Sequence, residues 1–128
     1  MRVNKRIILR TLDIGGDKVI SYLDLEKEEN PFLGVRGIRL CLKYKDLFKD
    51  QLRAVLRASV YTSDLGIMFP MVSTIEEIKE RKKIFAEVQK ELSLKNIPYN
   101  KDIELGVMME VPSLGFMLKE VAAEVSFI

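Results

Sequence analysis

Residues 67–110 read IMFPMVSTIEEIKERKKIFAEVQKELSLKNIPYNKDIELGVMME, and this stretch decides the fold. The short apolar run Ile67–Phe69 predicts a strand that ends at Pro70, because proline cannot donate to a sheet ladder. A second apolar run, Leu105–Met109, predicts another strand, and this one delivers Glu110. Apolar residues recur at helical spacing between the two runs. The stretch therefore predicts a strand, a helix and a strand in that order.

The helix predicted between these strands carries its own start signal. Ser73 or Thr74 can cap the first turn, and Glu76 or Glu77 can complete a capping box. The buried stripe of this helix is predicted to contain Ile75, Ile78, Phe85, Val88 and Leu92. We interpret the basic positions Arg81–Lys83 as part of its solvated face.

The rest of the chain repeats this alternation. Ile7–Leu9 predicts a buried parallel strand that ends at Arg10, and the paired glycines within residues 13–18 predict a loop. Apolar spacing predicts a helix over Asp46–Ser59, and Val125–Ile128 is typical of the start of a further strand. Repeated strand and helix units imply a parallel sheet.

The fold class is therefore α/β. Parallel strands need cover on both faces and neighbours on both edges, which about three βα units cannot provide. We accordingly expect a partial (βα)8 TIM barrel of about three βα units plus the start of a further strand, with residues 1–128 forming an incomplete domain. A small flavodoxin-like sheet is the alternative that the pattern leaves open.

Composition and charge narrow the classes of function that the chain can have. The 128 residues include 21 basic and 19 acidic ones, and the net charge of +2 does not indicate a nucleic-acid surface. No apolar run is long enough to span a membrane and no secretory signal is apparent, so we expect a cytoplasmic protein. The single cysteine, Cys41, excludes an internal disulfide and is interpreted as a small buried hydrophobe. The chain has no histidine, so it cannot itself form a phosphohistidine.

Charged residues follow the predicted strands at the end where βα folds bind their ligands. Arg10 and Lys18 follow the first strand, Arg36 lies in the long connection after it, and Glu110 follows the strand at 105–109. Two guanidinium groups and an ammonium suit a phosphorylated, carboxylated metabolite. A single carboxylate beside them suits Mg²⁺, which takes few protein carboxylates and completes its shell with water and substrate oxygens.

Five segments follow one another along the chain as possible motifs: RTLDIGGDK at 10–18, EENPFLGVRGIR at 28–39, DQLRAVLRAS at 50–59, IMFPM at 67–71 and GVMMEVP at 106–112. In this order they resemble motifs of the enzyme I family of the bacterial phosphoenolpyruvate-dependent sugar phosphotransferase system. Pyruvate phosphate dikinase and phosphoenolpyruvate synthase are similar in parts of the second motif but normally lack the DIGGDK segment. The resemblance therefore favours the phosphoenolpyruvate-binding barrel of enzyme I.

This resemblance implies roles for four residues. Arg10 and Arg36 match arginines that hold the phosphoryl and carboxylate groups of phosphoenolpyruvate, and Lys18 matches a lysine near the phosphoryl group. Glu110 matches one of two carboxylates that bind Mg²⁺. No catalytic residue is expected within the segment, because the family's acceptor histidine and protonating cysteine match no position in it.

The resemblance also implies partners. In the family, phosphoenolpyruvate phosphorylates a histidine on a separate N-terminal domain, which passes the phosphoryl group to the carrier protein HPr, and the parent protein is expected to be a homodimer. Two alternatives stay open at this point. One is a phosphoenolpyruvate-binding module without chemistry, and the other is a related enzyme of the pyruvate phosphate dikinase or phosphoenolpyruvate synthase type.

Overall fold

The computed structural model describes residues 5–13 and 44–128. These residues form a mixed α/β structure in which strands and helices alternate. The elements are β1 (Ile7–Arg10), α1 (Lys45–Ala58), a 3-10 turn (Ser59–Tyr61), β2 (Leu65–Phe69), α2 (Ile75–Leu94), β3 (Glu104–Val107), α3 (Pro112–Gly115) and α4 (Leu118–Glu124).

The three strands form one parallel sheet in the order β1-β2-β3. Arg10 lies opposite Met68, and Met68 lies opposite Gly106 on the other side. The predicted parallel sheet is thus confirmed. The predicted start of a further strand also lies beside β3, because Gly106 and Phe127 form a parallel bridge and the Ser126 amide donates to the Leu105 carbonyl at 2.8 Å.

Helix α2 begins as the sequence predicts. The Thr74 hydroxyl accepts from the Glu77 amide at 3.3 Å, and the Glu77 carboxylate accepts from the Thr74 and Ser73 amides. This capping box satisfies amides that would otherwise lack partners in the first turn. The predicted stripe is buried as well, apart from Ile75, which is partly buried against the core.

The core lies where α1 and α2 pack against the sheet. Phe48 and Leu52 of α1 are buried, and the Phe48 ring meets the Phe69 ring of β2 edge-on, with centroids 6.2 Å apart. Such edge-to-face pairs add to the free energy gained from burial alone. Burial of these residues fixes β2, the central strand of the three, and therefore the position of its carboxyl end.

Arg81 contradicts the sequence-based prediction. We expected it on a solvated face, but its side chain is completely buried, and its guanidinium carbon lies 4.5 Å from the centroid of the Phe69 ring. Positions 78, 81, 85, 88 and 92 repeat at intervals of three and four residues, which places all of them on one helix face. The geometry of the helix overrides the polarity of the side chain at this position.

Three smaller predictions need correction. Strand β1 exists, but Ile8 and Leu9 are exposed rather than buried, because β1 pairs with β2 on one side and is the first strand of the described sheet. The third strand ends at Val107 and not at Met109, because the next amide that could pair β2 with β3, that of Met71, donates to the Glu110 side chain instead. Met109, the last residue of the predicted strand, is therefore outside the sheet and half exposed. None of the described helices is both long and apolar enough to cross a bilayer.

Candidate substrate and metal site

The carboxyl edge of the sheet brings two of the predicted site residues to one side of the molecule. Arg10 is the last residue of β1, and Glu110 lies three residues beyond the end of β3. Strands β1 and β3 lie on either side of β2, so these two strands are about 10 Å apart, which is two strand spacings. Lys18 and Arg36, together with Cys41, lie outside the described residues.

Arg10 is oriented by the loop that follows it. Its side chain is 43% exposed, and Nη1 lies 3.5 Å from Oδ2 of Asp13, whose side chain is only 3% exposed. The Leu12 amide donates to Oε1 of Gln51 on α1 at 3.0 Å, which ties the same loop to the helix layer. A buried carboxylate thus holds one side of a guanidinium that remains open to solvent on the other.

Glu110 is held by the loop between β2 and α2. Its Oε1 accepts from the Met71 amide at 2.8 Å, and its side chain is exposed. Met71 has a φ of 53°, in the left-handed region that a side chain other than Gly, Asn or Asp seldom adopts. The backbone conformation of Met71 therefore serves to aim this amide at the carboxylate.

Further hydrogen bonds join the two loops that carry Glu110 and Met71. The Met108 amide donates to the Phe69 carbonyl at 2.9 Å, and the Ser113 hydroxyl donates to the Ser73 carbonyl at 3.0 Å. With the bond to Glu110, residues 69–73 and 108–113 are connected at three points. We call these two segments the rim loops, although the first includes the last residue of β2 and the second includes the first two residues of α3.

The sequence predicted Arg10 and Glu110 but missed their supporting residues, Asp13, Gln51, Met71 and Ser113. Asp13 stands three residues after Arg10, a spacing that could have suggested an ion pair at the end of the strand. No sequence signal indicates the other three contacts, because they join residues 39 or 40 positions apart.

The donors at this edge fit the predicted ligands in chemical type. An arginine with one open side can donate two parallel hydrogen bonds to a phosphoryl or carboxylate group. Within residues 5–13 and 44–128, no group of three or more His, Cys, Asp or Glu side chains could hold a metal ion. Glu110 offers hard carboxylate oxygens, and one such ligand agrees with the preference of Mg²⁺ for water and substrate oxygens in the remaining positions.

A separate cavity lies toward the opposite edge of the sheet. It has a volume of about 240 Å³ and is lined by Ser59, Val60, Thr62, Tyr99 and Asn100. These residues precede β2 and β3, whereas Arg10 and Glu110 terminate or follow their strands. The cavity is therefore not part of the edge that holds the candidate site.

Known proteins resemble the chain over nearly its whole length. Phosphoenolpyruvate-protein phosphotransferase of Staphylococcus aureus is 54% identical over 123 residues, which make up 96% of this chain and 21% of that protein. The proteins of the same name from Priestia megaterium and Bacillus subtilis (strain 168) are each 50% identical over 123 residues, again 21% of their length. The chain thus spans about a fifth of these curated relatives.

A family model agrees with these similarities. The model described as PEP-utilising enzyme, PEP-binding domain, matches residues 1–128. Arg10 and Glu110 lie at the carboxyl edge of a parallel sheet, the edge at which βα folds bind their ligands. From the match over all 128 residues and the identities of 50% or more, it follows that the chain belongs to the PEP-binding domain family of PEP-utilising enzymes.

Proposed function

We propose that the chain is part of a phosphoenolpyruvate-protein phosphotransferase and contributes to its phosphoenolpyruvate site. The observation that carries this proposal is that Arg10 and Glu110 both lie at the carboxyl ends of strands on one edge of the parallel sheet. The identities with proteins of that name support it. On this reading residues 1–128 are an incomplete domain, a part of a (βα)8 barrel in a cytoplasmic and dimeric enzyme.

Arg10 binds the phosphoryl or carboxylate group of phosphoenolpyruvate in this proposal. Asp13 keeps the guanidinium at the end of β1, so little side-chain entropy is lost when the substrate binds. Arg36 and Lys18 add positive charge, and together these groups neutralise the charge on the phosphoryl group as it is transferred. The chain has no histidine, so the residue that accepts the phosphoryl group and passes it to HPr must come from elsewhere in the enzyme.

Glu110 is proposed as one ligand of Mg²⁺. The ion, when bound, supplies positive charge that polarises the phosphoryl oxygens. Glu110 contributes a carboxylate whose Oε1 is already fixed by the Met71 amide. A fixed ligand needs little rearrangement when the ion and substrate arrive, which favours positioning as the contribution of this chain to catalysis.

Substitutions in the full-length enzyme that carries this chain test the proposal. Arg10→Lys should lower kcat/KM for phosphoenolpyruvate about ten- to a hundredfold, because lysine cannot reproduce two parallel donors. Arg57→Lys is the matched control, since Arg57 is an exposed arginine on α1. Glu110→Gln should raise the Mg²⁺ concentration needed for half-maximal rate and leave the melting temperature nearly unchanged, because glutamine retains an oxygen for the Met71 amide.

Transfer of ³²P from labelled phosphoenolpyruvate to the protein is the measurement. Equal kinetic constants for Arg10→Lys and Arg57→Lys would show that Arg10 does not contact the substrate. A Glu110→Gln variant with a normal Mg²⁺ response and a lowered melting temperature would assign this carboxylate a purely structural role.

A further inference from the structure

We infer that the backbone of Met71 and the hydroxyl of Ser113 are positioning groups for Glu110, so that the two rim loops act as one rigid holder for a divalent cation. This inference rests on the proposed function, since it takes Glu110 as the metal ligand. It adds residues that neither bind the cation nor contact the substrate.

The first argument is that the two oxygens of the Glu110 carboxylate differ in their hydrogen bonding. Oε1 accepts from the Met71 amide at 2.8 Å. Within residues 5–13 and 44–128, Oε2 of Glu110 has no hydrogen bond or ion pair. One oxygen is therefore fixed by a neutral donor, while the other keeps its lone pairs for a ligand outside the described residues.

The second argument is the cost of the Met71 conformation. A φ of 53° at a residue with an unbranched side chain is uncommon, and the surrounding contacts must compensate for it. The described contact that uses this conformation is the hydrogen bond from the Met71 backbone amide to the Glu110 carboxylate. The strain therefore aims a donor at the carboxylate, as expected where a loop positions a functional group.

The third argument is the hydrogen bond that Ser113 forms between the two rim loops. The Ser113 hydroxyl donates to the Ser73 carbonyl at 3.0 Å. Ser73 lies two residues after Met71, and Ser113 lies three residues after Glu110. Without this bond the loop carrying Met71 and the loop carrying Glu110 could separate on the side away from the sheet. The bond at Ser113 therefore limits the motion of the carboxylate relative to the Met71 amide.

The experiment is a Mn²⁺ titration of the full-length enzyme in the presence of phosphoenolpyruvate, with free Mn²⁺ followed by electron paramagnetic resonance. Ser113→Ala should weaken Mn²⁺ binding about two- to tenfold, the loss expected for one hydrogen bond, and Ser113→Thr, which keeps the hydroxyl, should restore it. Met71→Ile should weaken binding as well, because a branched side chain disfavours a positive φ and turns the amide away.

Asn96→Ile is the matched control. Asn96 also has a φ of 53°, but it follows the end of α2 and lies outside the rim loops. This substitution imposes the same backbone conflict at a distance from Glu110. It should lower the melting temperature without changing the affinity for Mn²⁺.

The outcomes separate the inference from the proposed function. Weaker Mn²⁺ binding by Ser113→Ala and Met71→Ile, with normal binding by Asn96→Ile, supports the inference. If Glu110→Gln weakens binding while both rim-loop variants bind normally, or if Asn96→Ile weakens it equally, the positioning role is wrong and the metal-ligand role stands. If Glu110→Gln binds Mn²⁺ normally, or if the unsubstituted enzyme binds none, the metal-ligand role itself is overturned.

Discussion

Replacement of Arg81 by lysine should destabilise the chain even though it conserves charge. Arg81 is completely buried, and its guanidinium lies 4.5 Å from the centroid of the Phe69 ring. A planar guanidinium stacks on an aromatic face and is weakly hydrated, whereas an ammonium is strongly hydrated and costs more free energy to bury. The substitution therefore removes the stacking contact and raises the desolvation penalty together.

The size of the effect follows from these two changes. A desolvated contact between a cation and an aromatic ring contributes about 2 kcal/mol, so we expect Arg81→Lys to lower the free energy of unfolding by about 1–3 kcal/mol. For a chain of this length, about 1 kcal/mol corresponds to a shift of about 3–5 °C in the midpoint. The melting temperature should therefore fall by about 3–15 °C.

The assay is thermal unfolding followed by circular dichroism at one fixed protein concentration, because self-association would make the midpoint depend on concentration. Arg57→Lys on the exposed face of α1 is the control and should change the midpoint by no more than about 2 °C. Equal midpoints for the two variants would refute the buried placement of Arg81 and restore the interpretation of residues 81–83 as a solvated face.

Three further predictions concern other contacts of the fold. Gly106→Ala would place a Cβ in steric overlap with ring atoms of Phe127 and should cost about 1–3 kcal/mol of stability, whereas the same change in a Phe127→Ala background should be nearly neutral in a double-mutant cycle. Thr74→Ala removes the cap of α2 and should cost about 1 kcal/mol in urea unfolding; an unchanged midpoint would contradict the role of the cap. The hydrogen bond from Arg53 lowers the pKa of Glu91 below its ordinary value of 4.5, so its contribution to stability is present above that value and is lost as the pH falls through the lower folded pKa. Glu91→Gln should therefore lose less stability than the unsubstituted chain between about pH 6 and pH 3, and equal losses would argue against this pairing.

Features set by short-range patterns could be predicted from the sequence. The cap at Thr74 and the end of β2 immediately before Pro70 depend on a few neighbouring residues, whose local preferences agree with the fold. The parallel arrangement followed from the alternation of strands and helices. Arg10 and Glu110 could be named because ligands of βα folds bind at the carboxyl ends of strands.

Features that depend on tertiary contacts could not be predicted. Arg81 has the polarity of a surface residue, and only its packing on Phe69 explains its burial. The bond between Met71 and Glu110 joins residues 39 positions apart and requires a positive φ that the sequence gives no reason to expect at methionine. The exposure of Ile8 depends on what lies beside β1, which a run of apolar residues does not specify.

The two ends of β3 explain why one glutamate is a candidate ligand and another is not. Glu104 begins the strand and forms an ion pair with Arg6, and this pairing is the largest cause of the raised pKa of Arg6. Arg6 also contacts Asp64 at 3.2 Å, so cation and carboxylates neutralise one another at the amino edge of the sheet. Glu110, beyond the carboxyl end, receives instead a neutral amide from Met71. A carboxylate paired with a guanidinium would have to give up that partner before it could bind Mg²⁺, whereas one held by a backbone dipole keeps its full charge for the ion. The two ends of β3 therefore carry a carboxylate used in an ion pair at the amino edge and an available carboxylate at the carboxyl edge, where βα folds bind their ligands.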